Sequence, residues 1–462
     1  MELNRKEMFR RTENTIKIYS NEHLIQFLED AKNKYMKFLF FLETGIDNKK
    51  KPFFLETGID NKKKSLLDDH NPMIWEAVHP VFFMEKHCLR YIDKTHSFPM
   101  NGQFTNNHYD SFIIPSHERF AIEHPSFDII KEYYTEIHNR IVLYIKNNIL
   151  CNSEYYLVML VLLHMHMHLE SYLFTNQLVY KICPNKFSIR INLNEPVMEE
   201  PIFIDIPGGM FIQGQHTSKK IGFDNEKPMF RKTVPDFRVS KTLITFYMFL
   251  QFYLDRGYEE EKYWSYKGNI WRNTHNIKSP LYWEIKNGSI TINYFSNLID
   301  LKKIYNYPVI NISWYEADAY CRWKGTRLLS ESEWEYLSTN RSSTLYPWGD
   351  NEETFSLCNT NYKQNWISSV LDNNEKTNNF NGVEQLVGNC WEWCQEEIYP
   401  YDYFKIDPVY REMSYPFFGF KKICRGGAWC VPDILITSSY RNSQMPECRK
   451  QYTGFRCAIN ID

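Results

Sequence analysis

The chain has 462 residues and a mass of 55.7 kDa, enough for two to three domains that each bury a core. Its formal net charge of −2 excludes a strong overall attraction to nucleic acid, so we expect no nucleic-acid partner. Aromatic residues make up 16% of the chain, and this favours a folded protein with many buried rings over a disordered one.

The N-terminus and the cysteines indicate the compartment. Residues 1–7 carry charges of both signs and no apolar stretch, which is not typical of a secretory signal. The 11 cysteines are scattered without CxxC pairs, as expected of reduced thiols. No segment approaches the roughly 18 uncharged apolar residues of a membrane span. We therefore predict a cytoplasmic protein with no membrane partner.

The first 185 residues predict a helical domain. Apolar residues at helical spacing indicate helices over much of residues 1–38, 71–85, 127–148 and 157–180. Four long helices fit an antiparallel bundle with a site among the facing helices. Within this domain, residues 40–51 (FFLETGIDNKKK) recur identically at 53–64. We interpret segment 40–64 as a local duplication that forms an exposed, lysine-rich loop.

A histidine-rich stretch on the fourth predicted helix is the first candidate site. His164 and His168 are four residues apart, so they project from one face of a helix in the geometry of two ligands to one metal ion. His166 is two residues from each and points elsewhere, so we assign it to packing. On this stretch alone, a metal site and a pair of buried core histidines are equal alternatives.

After a linker at 186–200 the pattern changes. Short apolar segments, Gly and Pro turns and frequent Trp residues replace the long helices. We predict that residues 201–462 form an α+β domain with long loops. Functional residues lie on such loops more often than in the core.

Motifs in this second part resemble the formylglycine-generating-enzyme, or sulfatase-modifying factor, domain. The resemblance implies a C-type-lectin-like fold. Copper-binding members of that family hold the metal through two cysteines after the RGG motif. Here Cys430 follows this motif, but the next cysteine is Cys448, so we do not expect formylglycine-generating activity. The matching stretches are IPGGMF (206–211), NISWYEA (311–317), CRWKGTRLLSESEWEY (321–336), YPWGD (346–350), VGNCWEW (387–393), RGGAW (425–429) and GFR (454–456).

A helical bundle with a lone His and an HxxxHxE motif ahead of such a domain resembles the ergothioneine/ovothiol sulfoxide synthases, over about residues 70–460. Their N-terminal part is a DinB-like four-helix bundle, so the resemblance implies this fold for residues 1–185. His79, followed by Phe82, Phe83 and Glu85, matches the first ligand motif of that family, and His164, His168 and Glu170 match the second. The resemblance implies that His79, His164 and His168 hold Fe(II) and that Glu170 orients a ligand imidazole.

The resemblance also implies an activity. Family members use non-haem Fe(II) and O2 to join a thiol, cysteine or γ-glutamylcysteine, to the imidazole of hercynine as a sulfoxide in ergothioneine biosynthesis. Three alternatives stay open: an ovothiol-type synthase that makes 5-histidylcysteine sulfoxide from histidine, a selenoneine-type synthase, and a non-catalytic lectin-like binding protein with a vestigial metal site. The oligomeric state is not indicated.

Further positions match substrate contacts of the family. Tyr410 precedes the SYPFF stretch (414–418) and matches a tyrosine expected to donate a proton or hydrogen bond in catalysis. Arg119 matches the first of two arginines that bind the carboxylate of the thiol substrate, while Ile122 stands at the second.

Met167 and Asn442 complete the predicted substrate-binding set. Met167 stands where the bacterial ergothioneine enzymes have Gln, and Asn442 is followed by Ser443-Gln444 in place of Trp-Asp. These departures spare the iron ligands but leave the thiol donor and the acceptor open.

Overall fold

A computed structural model describes residues 19–45, 71–100, 104–179, 191, 198–215, 220–295, 297–341, 343–372 and 382–461. The chain forms two compact units. The first comprises Met1–Lys186, Thr217–Ile221 and Asp407–Glu412, and the second Phe187–His216, Gly222–Ile406 and Met413–Asp462. The predicted linker at 186–200 falls mainly on residues outside the described ranges, so its bounds stay a prediction.

Four long helices form the framework of the described part of the first unit. They are α1 (Asn21–Gly45), α2 (Met73–Met84), α3 (Phe127–Asn147) and α4 (Asn152–Val179). Both α1 and α2 pack against α3 and α4, so each helix has two neighbours. Helix α2 begins after Pro72 and continues into a π-helical turn, Glu85–Leu89, and a short helix, Arg90–Ile92.

Helix α4 forms the core of this unit. Every residue from 157 to 163 is at most 2% exposed. A helix that is apolar all round is stable where other helices cover it. By length and composition 152–178 could cross a membrane, yet 83% of its most apolar window is buried inside the protein, so this is weak evidence for a span.

The structure corrects the start of the predicted duplicated loop. Residues 40–45 belong to α1, because Leu39 and Leu42 continue the buried stripe that includes Tyr35. The predicted loop is therefore wrong over 40–45. Its remaining residues, 46–64, and residues 1–18 of the first predicted helix lie outside the described ranges.

The second unit combines short strands with short helices, which confirms the predicted α+β arrangement. Its described helices of eight residues or more are α5 (Phe246–Leu254), α6 (Tyr266–Thr274), α7 (Trp314–Lys324) and α8 (Glu331–Ser338). Ser313 and Ser330 start α7 and α8 with capping boxes completed by Glu316 and Glu333.

Thirteen strands are described in this unit, in four sheets. One sheet has the antiparallel order β1-β4-β13-β8, and a second has the order β11-β10-β9-β12, in which β12 runs parallel to β9. β2 pairs with β3, and β5, β6 and β7 form a meander. The strands are β1 (Phe203–Ile206), β2 (Gly209–Gln213), β3 (Phe230–Val234), β4 (Phe237–Ser240), β5 (Trp283–Lys286), β6 (Ser289–Tyr294), β7 (Asn297–Asp300), β8 (Arg327–Leu328), β9 (Trp391–Glu397), β10 (Lys422–Arg425), β11 (Asn442–Gln444), β12 (Thr453–Gly454) and β13 (Cys457–Asn460).

The core of the second unit lies where α8 meets the first two sheets. Trp334 of α8 packs in one buried cluster with Val239, Ile423 and Ala458. The Arg425 guanidinium forms an ion pair with Glu335, and both side chains are fully buried. The RGGAW and SEWEY motifs of the sequence therefore supply core structure in this unit.

Candidate metal centre

Three histidines of the first unit converge inside the helical unit. Each of His79, His164 and His168 offers one ligand atom, and these atoms all lie within 4.8 Å of one another. The ring centroids of His164 and His168 are 4.5 Å apart, and that of His79 is 5.1 and 4.8 Å from them. The structure thus brings together the three residues that the sequence singled out.

Helix packing explains how His79 reaches the other two. His164 and His168 share one face of α4 because they are one turn apart. Pro80, inside α2, has no N–H to donate to the carbonyl oxygen of Glu76, four residues earlier. That oxygen instead accepts a hydrogen bond from the Tyr172 hydroxyl of α4. The proline therefore leaves a backbone acceptor that ties α2 to α4 beside the histidines.

Two of the imidazoles are oriented through Nδ1. Nδ1 of His79 is 2.7 Å from the carbonyl oxygen of Tyr109, which can only accept, so this nitrogen carries the proton. Nδ1 of His168 is 2.9 Å from Oε1 of Glu76. Both contacts leave Nε2 as the ligand atom, the usual arrangement in metal sites.

His164 presents a buried nitrogen without a partner. Its ring stacks on Phe83 with centroids 3.7 Å apart, and its Nδ1 has no hydrogen-bond partner among the described residues. An unpaired polar atom in the interior is costly. A metal ion bound at this nitrogen would satisfy it, and three imidazole ligand atoms within 4.8 Å of one another fit such an ion.

Burial keeps two of the histidines, His79 and His164, neutral. Burial, followed by the proximity of His168, lowers the pKa of His79 to about 3. Burial also holds the pKa of His164 well below its usual value. Neutral imidazoles are the form that binds a metal, so these two side chains are ready ligands at neutral pH.

Glu76 supplies a negative charge beside the cluster. Burial raises the pKa of its carboxyl group, but the charge of His168 and hydrogen bonds from His168, Ser171 and Asn71 outweigh this and bring the pKa to about 2. The side chain is therefore an ionised carboxylate in the interior, paired with an imidazole.

The structure places a second carboxylate, Glu76, beside the cluster, and the orienting role predicted for Glu170 stays a prediction. Glu76, not Glu170, forms the carboxylate contact at Nδ1 of His168. Glu170 is buried on α4 but lies two residues after His168, about 200° around the helix axis. One signal for Glu76 is in the sequence: it precedes His79 by three residues on α2, so both project from the same side of that helix.

His166 and His87 lie outside the set of three. Lys34 of α1 is close enough to His166 to affect it, so this ring faces a different neighbour from the ligand histidines. The ring of His87 contacts Phe83, with centroids 4.3 Å apart. The packing role that we predicted for His166 stays a prediction, and His87 packs on Phe83 in the same way as a core residue.

Tyr410 lies beside the cluster, within the same unit. Its ring centroid is 5.3 Å from that of His164 and 5.1 Å from that of Phe83. Asp407 fixes the segment, because it accepts hydrogen bonds from the backbone N–H groups of Val409 and Tyr410 and from the Tyr156 hydroxyl of α4. The position suits the predicted proton-donating role, which stays a prediction.

The other predicted contacts are more dispersed. Met167 is half-buried on α4, next to His168. Asn442 begins β11 in the second unit, and its Oδ1 accepts a hydrogen bond from the N–H of Ser443. Arg119 lies in a short 3-10 helix, Ser116–Ala121, and donates to protein acceptors in the first unit. The substrate-binding roles of all three stay predictions.

The fold and the site together define a two-unit protein, in which a three-histidine cluster lies in a helical unit and an α+β unit carries the remaining motifs. Residues 191–461 match the model of the sulfatase-modifying factor enzyme 1-like domain, and the chain belongs to this family. The matched residues make up the α+β part, whereas the three histidines lie outside the match.

Curated relatives add a second comparison. The hercynine oxygenase of Mycobacterium tuberculosis is 32% identical over 243 residues, 52% of this chain and 56% of that protein. The hercynine oxygenase of Mycolicibacterium smegmatis is 28% identical over 266 residues, 55% of this chain and 60% of that protein. The formylglycine-generating enzyme of Streptomyces coelicolor is 25% identical over 293 residues, 56% of this chain and 89% of that protein.

These relatives confirm the resemblance to the ergothioneine-type sulfoxide synthases. The chain spans a little over half the length of the hercynine oxygenases that it matches.

Proposed function

We propose that this protein is a non-haem Fe(II)- and O2-dependent sulfoxide synthase that joins a thiol to the imidazole of hercynine. The observation that carries the proposal is the cluster of His79, His164 and His168, two of them buried, in a chain similar to hercynine oxygenases. We also assign the first unit to the DinB-like bundles, since its four long helices enclose that cluster.

The reaction balances as one C–S bond formed and one O2 consumed. An imidazole C–H and a thiol S–H are lost, a C–S bond and an S=O bond form, and the second oxygen atom leaves as water. O2 takes up four electrons, two for the new C–S bond and two for oxidation of the sulfur. Cysteine and γ-glutamylcysteine are the thiols that we propose.

His79, His164 and His168 would hold the iron, with no carboxylate among them. Three neutral imidazoles on one side of a metal leave open positions for substrates. When bound, Fe(II) supplies the redox chemistry that O2 requires. Glu76 and the carbonyl group of Tyr109 fix two of the imidazole rings, and Phe83 covers the third.

Tyr410 is our choice for the proton-donating side chain. Its ring lies against His164 and Phe83, and the side chain is buried. A phenol held in place by a segment anchored at Asp407 can hold or donate one proton at its hydroxyl oxygen.

Product formation tests the proposal. The protein would be loaded with Fe(II) without oxygen, then given hercynine, O2 and, separately, cysteine, γ-glutamylcysteine or glutathione. We expect a mass equal to hercynine plus the thiol plus one oxygen minus two hydrogens, with one O2 consumed per product.

Two variants serve as matched controls. His164→Asn should abolish the product, while His166→Asn, on another face of the same helix, should retain it. An iron-loaded protein that gives no sulfoxide with any of the three thiols contradicts the proposal. A protein that takes up no iron favours the alternative of a binding protein.

A further inference from the structure

The Arg119 side chain donates four hydrogen bonds within the first unit. Its Nε and Nη2 donate to the carbonyl oxygen of Ile114 at 3.1 and 2.9 Å, and Nη2 also donates to that of Ser111 at 3.1 Å. Its Nη1 donates to Oδ1 of Asn71 at 2.7 Å. A guanidinium group binds a carboxylate through two parallel N–H groups, and here all three nitrogens already donate to the protein.

One route leads from Arg119 to His168 through hydrogen bonds. The Asn71 amide that accepts from Arg119 donates through Nδ2 to Oε2 of Glu76 at 2.5 Å. The other carboxylate oxygen of Glu76 is 2.9 Å from Nδ1 of His168. Arg119, Asn71, Glu76 and His168 thus form a continuous polar chain, in which each group fixes the orientation of the next.

A second route leads from Arg119 to His79 through stacked rings. The guanidinium carbon of Arg119 lies 4.0 Å from the Trp75 ring centroid. The Trp75 ring lies nearly parallel to that of His79, with an interplanar angle of 10° and centroids 4.7 Å apart. Trp75 is held in turn, because its Nε1 donates to the carbonyl oxygen of His108 at 2.7 Å.

We infer that Arg119 is a positioning residue that sets the orientation of His79 and His168, rather than a receptor for the substrate carboxylate. The inference rests on the proposed function, because it takes the three histidines to be metal ligands. Both routes start at the planar guanidinium group of Arg119, and they end on the imidazoles of His168 and His79. Lysine could not replace Arg119. A planar guanidinium group can stack on Trp75 and at the same time donate to Asn71, Ile114 and Ser111, whereas a compact ammonium group cannot do both.

Metal affinity separates the two roles of Arg119. Co(II), a spectroscopic substitute for Fe(II), would be titrated into wild type, Arg119→Lys and Asn71→Ala, with affinity and visible absorption recorded. For a positioning residue we expect Arg119→Lys to weaken Co(II) binding about 10- to 100-fold and to alter the absorption bands. Asn71→Ala breaks only the polar route, so it should change both quantities in the same direction and by less.

Arg140→Lys is the matched control. Arg140 pairs with Asp93 in the same unit, at 2.6 Å, and should leave Co(II) affinity and spectrum unchanged. Circular dichroism would verify that each variant is folded. If Arg119→Lys does not fold, Asn71→Ala decides between the roles.

Two results would overturn the inference. Unchanged Co(II) affinity and spectrum in Arg119→Lys and Asn71→Ala, with a raised KM for the thiol in Arg119→Lys, would make Arg119 a substrate receptor. Wild-type protein that binds no Co(II) would overturn both this inference and the proposed function. If wild type binds the metal but makes no sulfoxide, only the proposed function fails, and the affinities still decide the role of Arg119.

Discussion

Oε1 of Glu76 lies 2.9 Å from Nδ1 of His168, although 92 residues separate the two in the chain. This contact joins α2 to α4 and gives the three-histidine cluster an adjacent negative charge. A carboxylate at this position fixes the tautomer of the imidazole and makes its other nitrogen a better ligand. Glu76 therefore belongs with the histidines in any account of the site.

Replacing Glu76 by Gln should weaken metal binding. An amide keeps the shape of the side chain but removes the charge that favours the Nδ1–H form of His168. We expect a loss of roughly 10- to 100-fold in Fe(II) or Co(II) affinity, measured by competition with a chelator. Glu136→Gln, at an exposed position of α3, is the control and should bind like wild type. Equal affinities in both variants would show that the carboxylate has no part in the site.

Metal content should distinguish the ligand histidines from their neighbour. His79→Asn, His164→Asn and His168→Asn each remove one of three ligands, and we expect each to lose most of the bound iron. His166→Asn should retain it, because His166 is two residues from both His164 and His168 and projects from another part of α4. Iron per polypeptide, measured by elemental analysis after reconstitution, tests this. Normal iron in any of the three ligand variants would remove that residue from the site.

Tyr410→Phe should separate catalysis from metal binding. The change removes only the hydroxyl group and leaves the ring that contacts His164 and Phe83. We expect normal iron content and a fall in kcat of roughly 100-fold, in the range for loss of a proton donor. Tyr403→Phe, where the side chain is 90% exposed, is the control. An unchanged kcat in Tyr410→Phe would assign the proton transfer to another group.

The metal-free protein should lose stability in acid. Burial, and then the charge of Lys34, lowers the pKa of His166 to about 3, below the usual 6.5. Below pH 6.5 the unfolded chain takes up a proton that the folded protein does not, so the free energy of unfolding falls as pH falls from 6.5 towards 3. Within this range, one such histidine lowers the free energy of unfolding by about 1.4 kcal/mol for each pH unit of acidification.

Replacement of His166 tests this origin of the pH dependence. His79 has its pKa lowered in the same direction, so His166→Asn should reduce the slope of stability against pH without removing it. Urea unfolding of metal-free wild type and variant at pH 7, 6 and 5 measures the slopes. Parallel curves for the two proteins would show that His166 does not contribute.

The buried pair of the second unit should be needed for stability. Arg425 and Glu335 are both fully buried, and Arg425 also donates to the carbonyl oxygens of Ser439 and Tyr440. Glu335→Gln removes the nearer counter-charge of a buried cation and leaves the more distant Glu331, 3.8 Å from Arg425, so we expect a cost of about 3 kcal/mol. Chemical unfolding measures the loss, with the exposed Glu353→Gln as the control. A loss equal to that of the control would contradict this role for the pair.

Local patterns in the sequence were enough to place the principal elements. The apolar run at 157–163 predicts a buried helix, and the apolar stripe of residues 127–148 predicts α3, because each signal depends only on residues within one or two turns. The spacing of His164 and His168 puts both on one face for the same reason. The motifs shared with the sulfatase-modifying factor domain identified the second unit.

Contacts between distant segments were decided by the tertiary structure alone. The family motif assigns an orienting carboxylate to Glu170, which stays a prediction, whereas Glu76 reaches Nδ1 of His168 only because α2 packs against α4. The structure also shows that α1 continues to Gly45, because Leu39 and Leu42 are buried against the rest of the unit. The repeated sequence does not reveal this burial. Spacing along one helix determines which side chains share a face, but only packing determines which face of another helix they meet. Spacing within α4 therefore set the histidine pair, and the family motif added His79, while the Glu76 contact to His168 and the contacts of Arg119 became visible only in the folded protein.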